Sequence, residues 1–498
     1  MTSPARLTDD ALRDIQGIIT SGYGHLPYAA YLFVTMTDAG GGRRWLSLVR
    51  NSITSSQHRI IGHGLPEDRP SVAVNLGLTA EGLRALGLPR EVMRTFPVEF
   101  QDGIASEERS RILGDTGASA PEMWEIGGPR TEPVHAMLML FAPDESALDE
   151  LCRVQRDTLT VSGGAVELPG SIQHGYRPDT FTEPFGFHDG IAQPSIAGLT
   201  GHGVPTGEFI LGYENHYGLI PPTPVVPREM NPANILARLD SPYHAGKDLG
   251  DLGRHGSYLV YRKLQQDVAG FWQFMAREAA REGNRDSARV VWLASKCVGR
   301  WPSGAPLTLA PDADDPRLAD RDDFFYADDL NGLRCPVGAH IRRTNPRDVL
   351  NPYPRAQSLS MTEAHRLLRR GRAYGTPLIE ARLLRTPDAG LFKTLANLQD
   401  DGQPRGVHFF CVNASLKSQF EFVQQAWCNN PRFGGLNDNV DPLTSSPCSA
   451  DAPSRMSIPR QDGAAVRTNP LPQFVTVRAG TYMFLPSVTA LRFLGDGH

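Results

Sequence analysis

Two hydrophobic textures alternate along the chain: short apolar runs rich in β-branched and aromatic residues, and longer stretches whose apolar positions recur every three or four residues. Near the start, Thr8-Asp9-Asp10 supplies helix-start chemistry, and Leu12, Ile15, Ile18 and Ile19 share one face of a helix expected over Leu7 to Ile19. Tyr31 to Thr37 reads as a strand ending at the Gly40-Gly41-Gly42 loop. Ser71 to Leu78 reads as another, followed by a short helix with Thr79 as its cap and Gly87 and Pro89 near its stop. The strand-then-helix pattern returns over Val134 to Val154, Gly256 to Arg277 and Gly406 to Trp427. Between Pro221 and Gly256 the texture breaks, with six prolines from Pro221 to Pro242, as in a long connection or a domain boundary. The halves look like two copies of one α+β plan. Strand–helix units also suit a parallel α/β sheet, so the pattern leaves both classes open.

The 498 residues, 40% of them hydrophobic, suffice for two cores. A net charge of -5 and short basic runs, Arg342-Arg343 and Arg369-Arg370, exclude a binder of nucleic acid but suit a small anionic ligand. The N-terminal residues show no basic segment leading into an apolar run, and stretches such as Ala136 to Ala142 are too short to span a bilayer. The six cysteines lack paired spacing. The expectation is a soluble cytoplasmic protein without membrane contact.

Three segments carry candidate chemistry. In Gly186 to Pro194 (GFHDGIAQP), two glycines frame Asp189; the turn fixes the carboxylate for proton exchange and lets a flat ligand approach, or it is simply a surface turn. His188 adjoins it, and only one of the two neighbours is expected to face a given site. In Cys335 to Asp348 (CPVGAHIRRTNPRD), His340 precedes Arg342, Arg343 and Arg347: an imidazole suits iron and guanidiniums suit carboxylates, or this is a basic loop. In His365 to Leu378 (HRLLRRGRAYGTPL), His365, Leu368 and Arg369 fit one face of a basic helix end. The chain has no CxxCH for covalent haem, and no HExxH, Walker loop, GxSxG elbow or CxxC pairs. The acidic stretch Asp312 to Asp323 lacks the glycine and glutamate of a calcium loop and reads as a solvated loop.

Together these segments resemble the dye-decolourising peroxidase family, in its longer, non-secreted bacterial branches. Gly186 to Gly190 fits its GxxDG element, and Gly338 to Asp348 is similar to its proximal-histidine segment. Leu368 to Gly375 resembles its distal-arginine segment, with Ala373 where proline is the rule, and Phe474 to Leu494 resembles its closing strand and helix. The resemblance implies two ferredoxin-like domains, each an antiparallel sheet with helices packed on it: residues 1–220 with the distal GxxDG segment, a connection over 221–255, and a haem-binding domain over 256–498. It implies one non-covalent haem b with His340 as axial ligand, Arg342 facing its propionates and Glu421 hydrogen-bonded to His340. Asp189 then carries the proton and Arg369, chosen over Arg370 by its place in the motif, stabilises charge, while Tyr374 relays electrons. The implied activity is reduction of hydrogen peroxide, with aromatic dye-like or phenolic donors oxidised one electron at a time through a ferryl intermediate. The family often self-associates, so a homo-oligomer is expected. A haem carrier or iron-releasing protein with incidental peroxidase activity is the competing reading.

Overall fold

Every ladder of the main sheet is antiparallel, which fixes the class as α+β and removes the parallel alternative. The computed structural model describes residues 6–58, 69–239, 247–350, 352–445 and 454–496. In the first half lie β1 (Tyr28–Met36), β2 (Ala73–Leu78), β3 (Ala136–Ala142), β4 (Ala165–Glu167) and β5 (Gln173–Tyr176). A ribbon of β6 (Val225–Pro227) and β7 (Leu249–Asp251) follows, in the proline-rich stretch whose Pro242 lies outside the described residues. The second half holds β8 (Ser257–Gln266), β9 (Leu368–Arg369), β10 (Arg372–Tyr374) and β11 (Gly406–Asn413). It ends with the ribbon β12 (Ser457–Ile458) and β13 (Val466–Arg467) and then β14 (Val475–Leu485).

The spatial orders are β5-β1-β3-β2 and β14-β8-β11-β9. Counted along the chain within each half, both read fourth, first, third, second. A helix follows the first strand of each half, Ala39–Val49 after β1 and Val268–Arg281 after β8. Another follows the third, Glu145–Ser162 after β3 and residues 417–428, with wide π-helical turns, after β11. This is the ferredoxin-like arrangement twice over.

Strand alternation places the core. Tyr31 and Phe33 of β1 face Tyr261 of β8 and Phe410 of β11, with ring centroids 4.8 Å apart for Tyr31–Phe410 and 5.5 Å for Phe33–Tyr261. Their neighbours Leu32, Val34, Tyr258 and Val260 point the other way and pack with Trp45, Leu46, Leu491 and Phe493 of the covering helices. The two sheets meet at both edges through single pairs, Phe484↔Leu78 and Ala373↔Tyr176.

Three local expectations are corrected. Gly40, Gly41 and Gly42 form no loop but the first turn of the helix Ala39–Val49, where the Asp38 side chain caps the Gly41 N–H. The N-terminal helix is split into Asp9–Asp14, capped by Thr8, and Gly17–Thr20. Between them Gln16 bonds the carbonyls of Leu76 and Pro486 and the Leu76 amide, a buried tie that outweighs helix continuation. The basic helix end at 365–378 is instead the strands β9 and β10, both paired with β11. The apparent helical face was too short to resist that pairing. Five cysteines, Cys152, Cys297, Cys335, Cys411 and Cys428, are buried free thiols, and Cys448 lies outside the described residues. Among the described residues no helix is long and apolar enough to cross a membrane.

The helix Val268–Arg281 supports the GxxDG segment from below. Trp272 is fully buried, donates its indole N–H to the Phe185 carbonyl at 3.0 Å and lies parallel to the Phe187 ring. Trp272→Ala should cost about 3–5 kcal/mol of unfolding free energy, measured by denaturant titration.

Candidate active site

A helix of one turn, His340–Thr344, begins the second-half side of a cavity of about 640 Å³. At 100° per residue, positions 340, 341 and 344 turn to one side and 342 and 343 to the other. His340, Ile341 and Thr344 accordingly line the cavity. His340 Nδ1 pairs with Asp441 Oδ2 at 2.8 Å, and its other ring nitrogen has no hydrogen-bond partner among the described residues. Asp441 is 1% exposed, and its Oδ1 accepts the N–H groups of Leu443 and Thr444. Burial opposes its charge, but His340 and those amides together hold the carboxyl down at about 2.

Two expectations fail here for geometric reasons. Arg342 does not reach the cavity: 2% exposed, it pairs with Asp329 at 3.2 Å and donates to the Cys335 carbonyl at 2.6 Å, tying down the loop before His340. Glu421 does not meet His340 either. It accepts from Tyr482 Oη at 2.9 Å and Arg109 at 3.0 Å, while Phe420, Val423 and Gln424 of the same helix border the cavity. The place intended for Glu421 belongs to Asp441, one hundred and one residues beyond His340 in sequence.

From the first half, the GxxDG segment forms a hairpin that brings Asp189 and His188 to the cavity wall. Gly190, at φ 84°, adopts a left-handed turn that a side chain resists. Both neighbours border the cavity, contrary to expectation, but His188 Nδ1 is engaged with the Ser303 carbonyl at 3.0 Å. Asp189 Oδ1 accepts the Gly190 N–H at 2.6 Å and stands 3.5 Å from Arg369 Nη1. Arg369, on β9, also donates to the Ile191 carbonyl at 2.9 Å. Arg370 sends its guanidinium the other way, to the carbonyls of Ile18 and Ile19, as strand alternation requires. Tyr374 ends β10 at 8% exposure, its ring 4.7 Å from that of His408 and its hydroxyl without a partner.

Cations gather on another part of the wall. Arg300 and Arg347 share Asp322, a member of the acidic stretch that composition marked as solvated. Arg366 also borders the cavity, with no carboxylate in ion-pair range among the described residues and one bond to the Ala192 carbonyl at 3.3 Å. Burial, and next the charge of Arg347, pull Arg366 down to about 10. Three guanidiniums to one carboxylate leave surplus positive charge facing the cavity, the complement of a ligand bearing carboxylates. With an imidazole whose outer nitrogen is free and whose inner one is held by a carboxylate, the donor set fits a haem. Asp441, Arg300 and Arg366 carry no spacing signal that ties them to His340.

Glu421→Ala should leave Arg109 and Tyr482 without their buried acceptor and lower unfolding stability by about 2 kcal/mol. Its absorption spectrum with added haem should match that of the unaltered protein, whereas Asp441→Ala should change it.

No family model matches the chain. It is 29% identical to the dye-decolorizing peroxidase msp1 of Mycetinis scorodonius, over 97% of this chain and 87% of that protein. It is 28% identical to the multifunctional dye peroxidase of an Amycolatopsis species, over 93% and 91%. Among solved structures, an ancestral D-type dye decolorizing peroxidase superimposes with a TM-score of 0.77 at 26% identity, covering 98% of this chain and 99% of that one. With hairpin, histidine and arginine strand in one cavity of a twice-repeated ferredoxin-like fold, the chain is similar over nearly its whole length to dye-decolorizing peroxidases.

Proposed function

We propose that the chain is a haem peroxidase that reduces hydrogen peroxide and oxidises small aromatic donors. The observation that carries this reading is that Asp189 and Arg369 share one cavity with the His340–Asp441 pair. A solved neighbour, 26% identical, is a dye-decolorizing peroxidase in complex with 2,6-dimethoxyphenol, which supports phenols as the donor class. Bound haem b would supply the electron exchange between peroxide and donor.

The chain's own residues supply the rest. His340 would hold the iron through its free ring nitrogen, with Asp441 fixing the tautomer and strengthening the imidazole as a donor. The surplus guanidiniums of Arg300, Arg347 and Arg366 would receive the propionates, and without a CxxCH the group would be held non-covalently. Asp189 takes a proton from the near oxygen of peroxide and returns one to the departing oxygen, which leaves as water. Arg369 stabilises the charge that develops as the O–O bond lengthens. Residues 1–220 thus contribute the proton carrier, residues 256–498 the iron ligand and cations, and 221–255 the connection between them. Tyr374, next to the cavity-lining Ala373, is the candidate relay to donors too bulky to enter.

An absorption titration tests the reading. One equivalent of haem should produce a Soret band, one equivalent of peroxide should shift it, and a phenol should restore it. A bound haem indifferent to peroxide would instead identify a carrier. Asp189→Asn should lower kcat/KM for peroxide about 10²–10⁴-fold and Arg369→Leu about 10²–10³-fold, by stopped-flow kinetics. Asp441→Ala should raise the iron reduction potential, read by spectroelectrochemistry, because the imidazole loses its negative partner. Tyr374→Phe should slow bulky dyes far more than small phenols, and equal slowing of both would remove the relay.

A further inference from the structure

The hairpin that carries Asp189 encloses another carboxyl group. Main-chain bonds run from Glu183 N–H to the Phe187 carbonyl at 3.0 Å and from Asp189 N–H to the Phe181 carbonyl at 2.7 Å. The Glu183 side chain folds back into the turn. Its Oε1 accepts the Phe187 N–H at 2.9 Å, and its Oε2 accepts the Phe185 N–H at 2.9 Å and Gln266 Nε2 at 2.7 Å. Gln266 is the last residue of β8, so this carboxyl joins the first-half hairpin to the second-half sheet. Phe181, whose carbonyl holds Asp189, sits at φ 53°, a strained conformation that persists only under such restraint. The oxygen of the Gln266 amide is buried beside Glu183 with no hydrogen-bond partner.

We propose that Glu183 is a positioning residue for Asp189: it carries a proton while the hairpin holds Asp189 beside Arg369, and its ionisation loosens that hold. The inference rests on Asp189 being the proton carrier of the peroxide step. A half-turn of the Gln266 amide brings its orphan oxygen against a protonated Glu183 hydroxyl, which donates to it, while the amide N–H groups turn toward the place that oxygen leaves. An ionised Glu183 instead places two negative charges in one short hairpin. Asp189 is the charged group that acts on it; β8 offers the uncharged Gln266, and the helix beneath offers Phe271 and Trp272.

The electrostatics agree in sign. Burial pushes the Glu183 carboxyl up to about 7, with Asp189 adding to the rise and the three donated hydrogen bonds opposing it. A folded value above the unfolded one means that the stabilisation is complete below the ordinary carboxylate range. It is lost as pH rises through about 7. The peroxide-competent hairpin is therefore the acidic one.

The test is the pH dependence of kcat/KM for hydrogen peroxide in the holoenzyme, with an infrared titration of the same protein. The unaltered enzyme should lose about tenfold between pH 6 and 8, the fall centred near the Glu183 midpoint of about 7. Glu183→Gln, permanently neutral, should stay within about threefold of the native value at pH 5 and lack the fall. A protonated-carboxyl band should vanish with a midpoint near 7 in the unaltered protein. The band should be missing from Glu183→Gln and present in Asp189→Asn. A fall that survives in Glu183→Gln, or a Glu183 already ionised at pH 5, overturns the proposal. Full peroxide activity in Asp189→Asn overturns the reading of Asp189 instead, and the infrared band tells the two failures apart.

Discussion

A strand shows successive side chains to opposite faces, and here that alternation fills the space between two sheets with Tyr31, Phe33, Tyr261 and Phe410. These inward rings cannot be exchanged for smaller groups without voids, so they fix how the halves face each other. Once that is fixed, the strand edges of the two halves pair, among the described residues, at Phe484↔Leu78 and Ala373↔Tyr176. The second contact adjoins β9 and β10, and it is here that the Asp189 hairpin from one half comes against Arg369 from the other. The site is therefore a by-product of closure: neither half holds both His340 and Asp189.

The cavity wall is electrostatically uneven. Surplus guanidinium charge lies at Arg300, Arg347 and Arg366, while His340 is backed by a fully buried carboxylate. These two arrangements perform different work. The first suits an anionic ligand; the second sets a carboxylate behind an imidazole without placing a free anion in the cavity. The isolation of Arg366 from any carboxylate among the described residues carries a cost in burial, and a carboxylate ligand would offset it.

Local signals recovered local facts. Thr8 and Thr79 cap helices as their spacing indicated, and the strand-then-helix runs became the two repeats. Asp189, His340 and Arg369 were readable because short motifs place them, and they do border one cavity. What could not be read depends on contacts distant in sequence. Asp441 meets His340 across a hundred and one residues, and Glu421 was a plausible substitute only until the helix over 417–428 turned it toward Arg109. Arg342 was misjudged for a different reason: adjacency to His340 in sequence is opposition on a helix. The segment at 365–378 looked helical because three residues coincide with that period, while pairing with β11 decides its state.

The buried cysteines bear on survival in the presence of the oxidant. Burial pushes the thiols of Cys152 and Cys335 up to about 11 and those of Cys297 and Cys411 up to about 12. Thiolate is the form that peroxide attacks, so near neutral pH these sulfurs are almost wholly in the unreactive state as well as out of reach. These four thiols are thus chemically silent toward a peroxide admitted to the interior. Durability over many turnovers is built into the same packing that holds the sheets together.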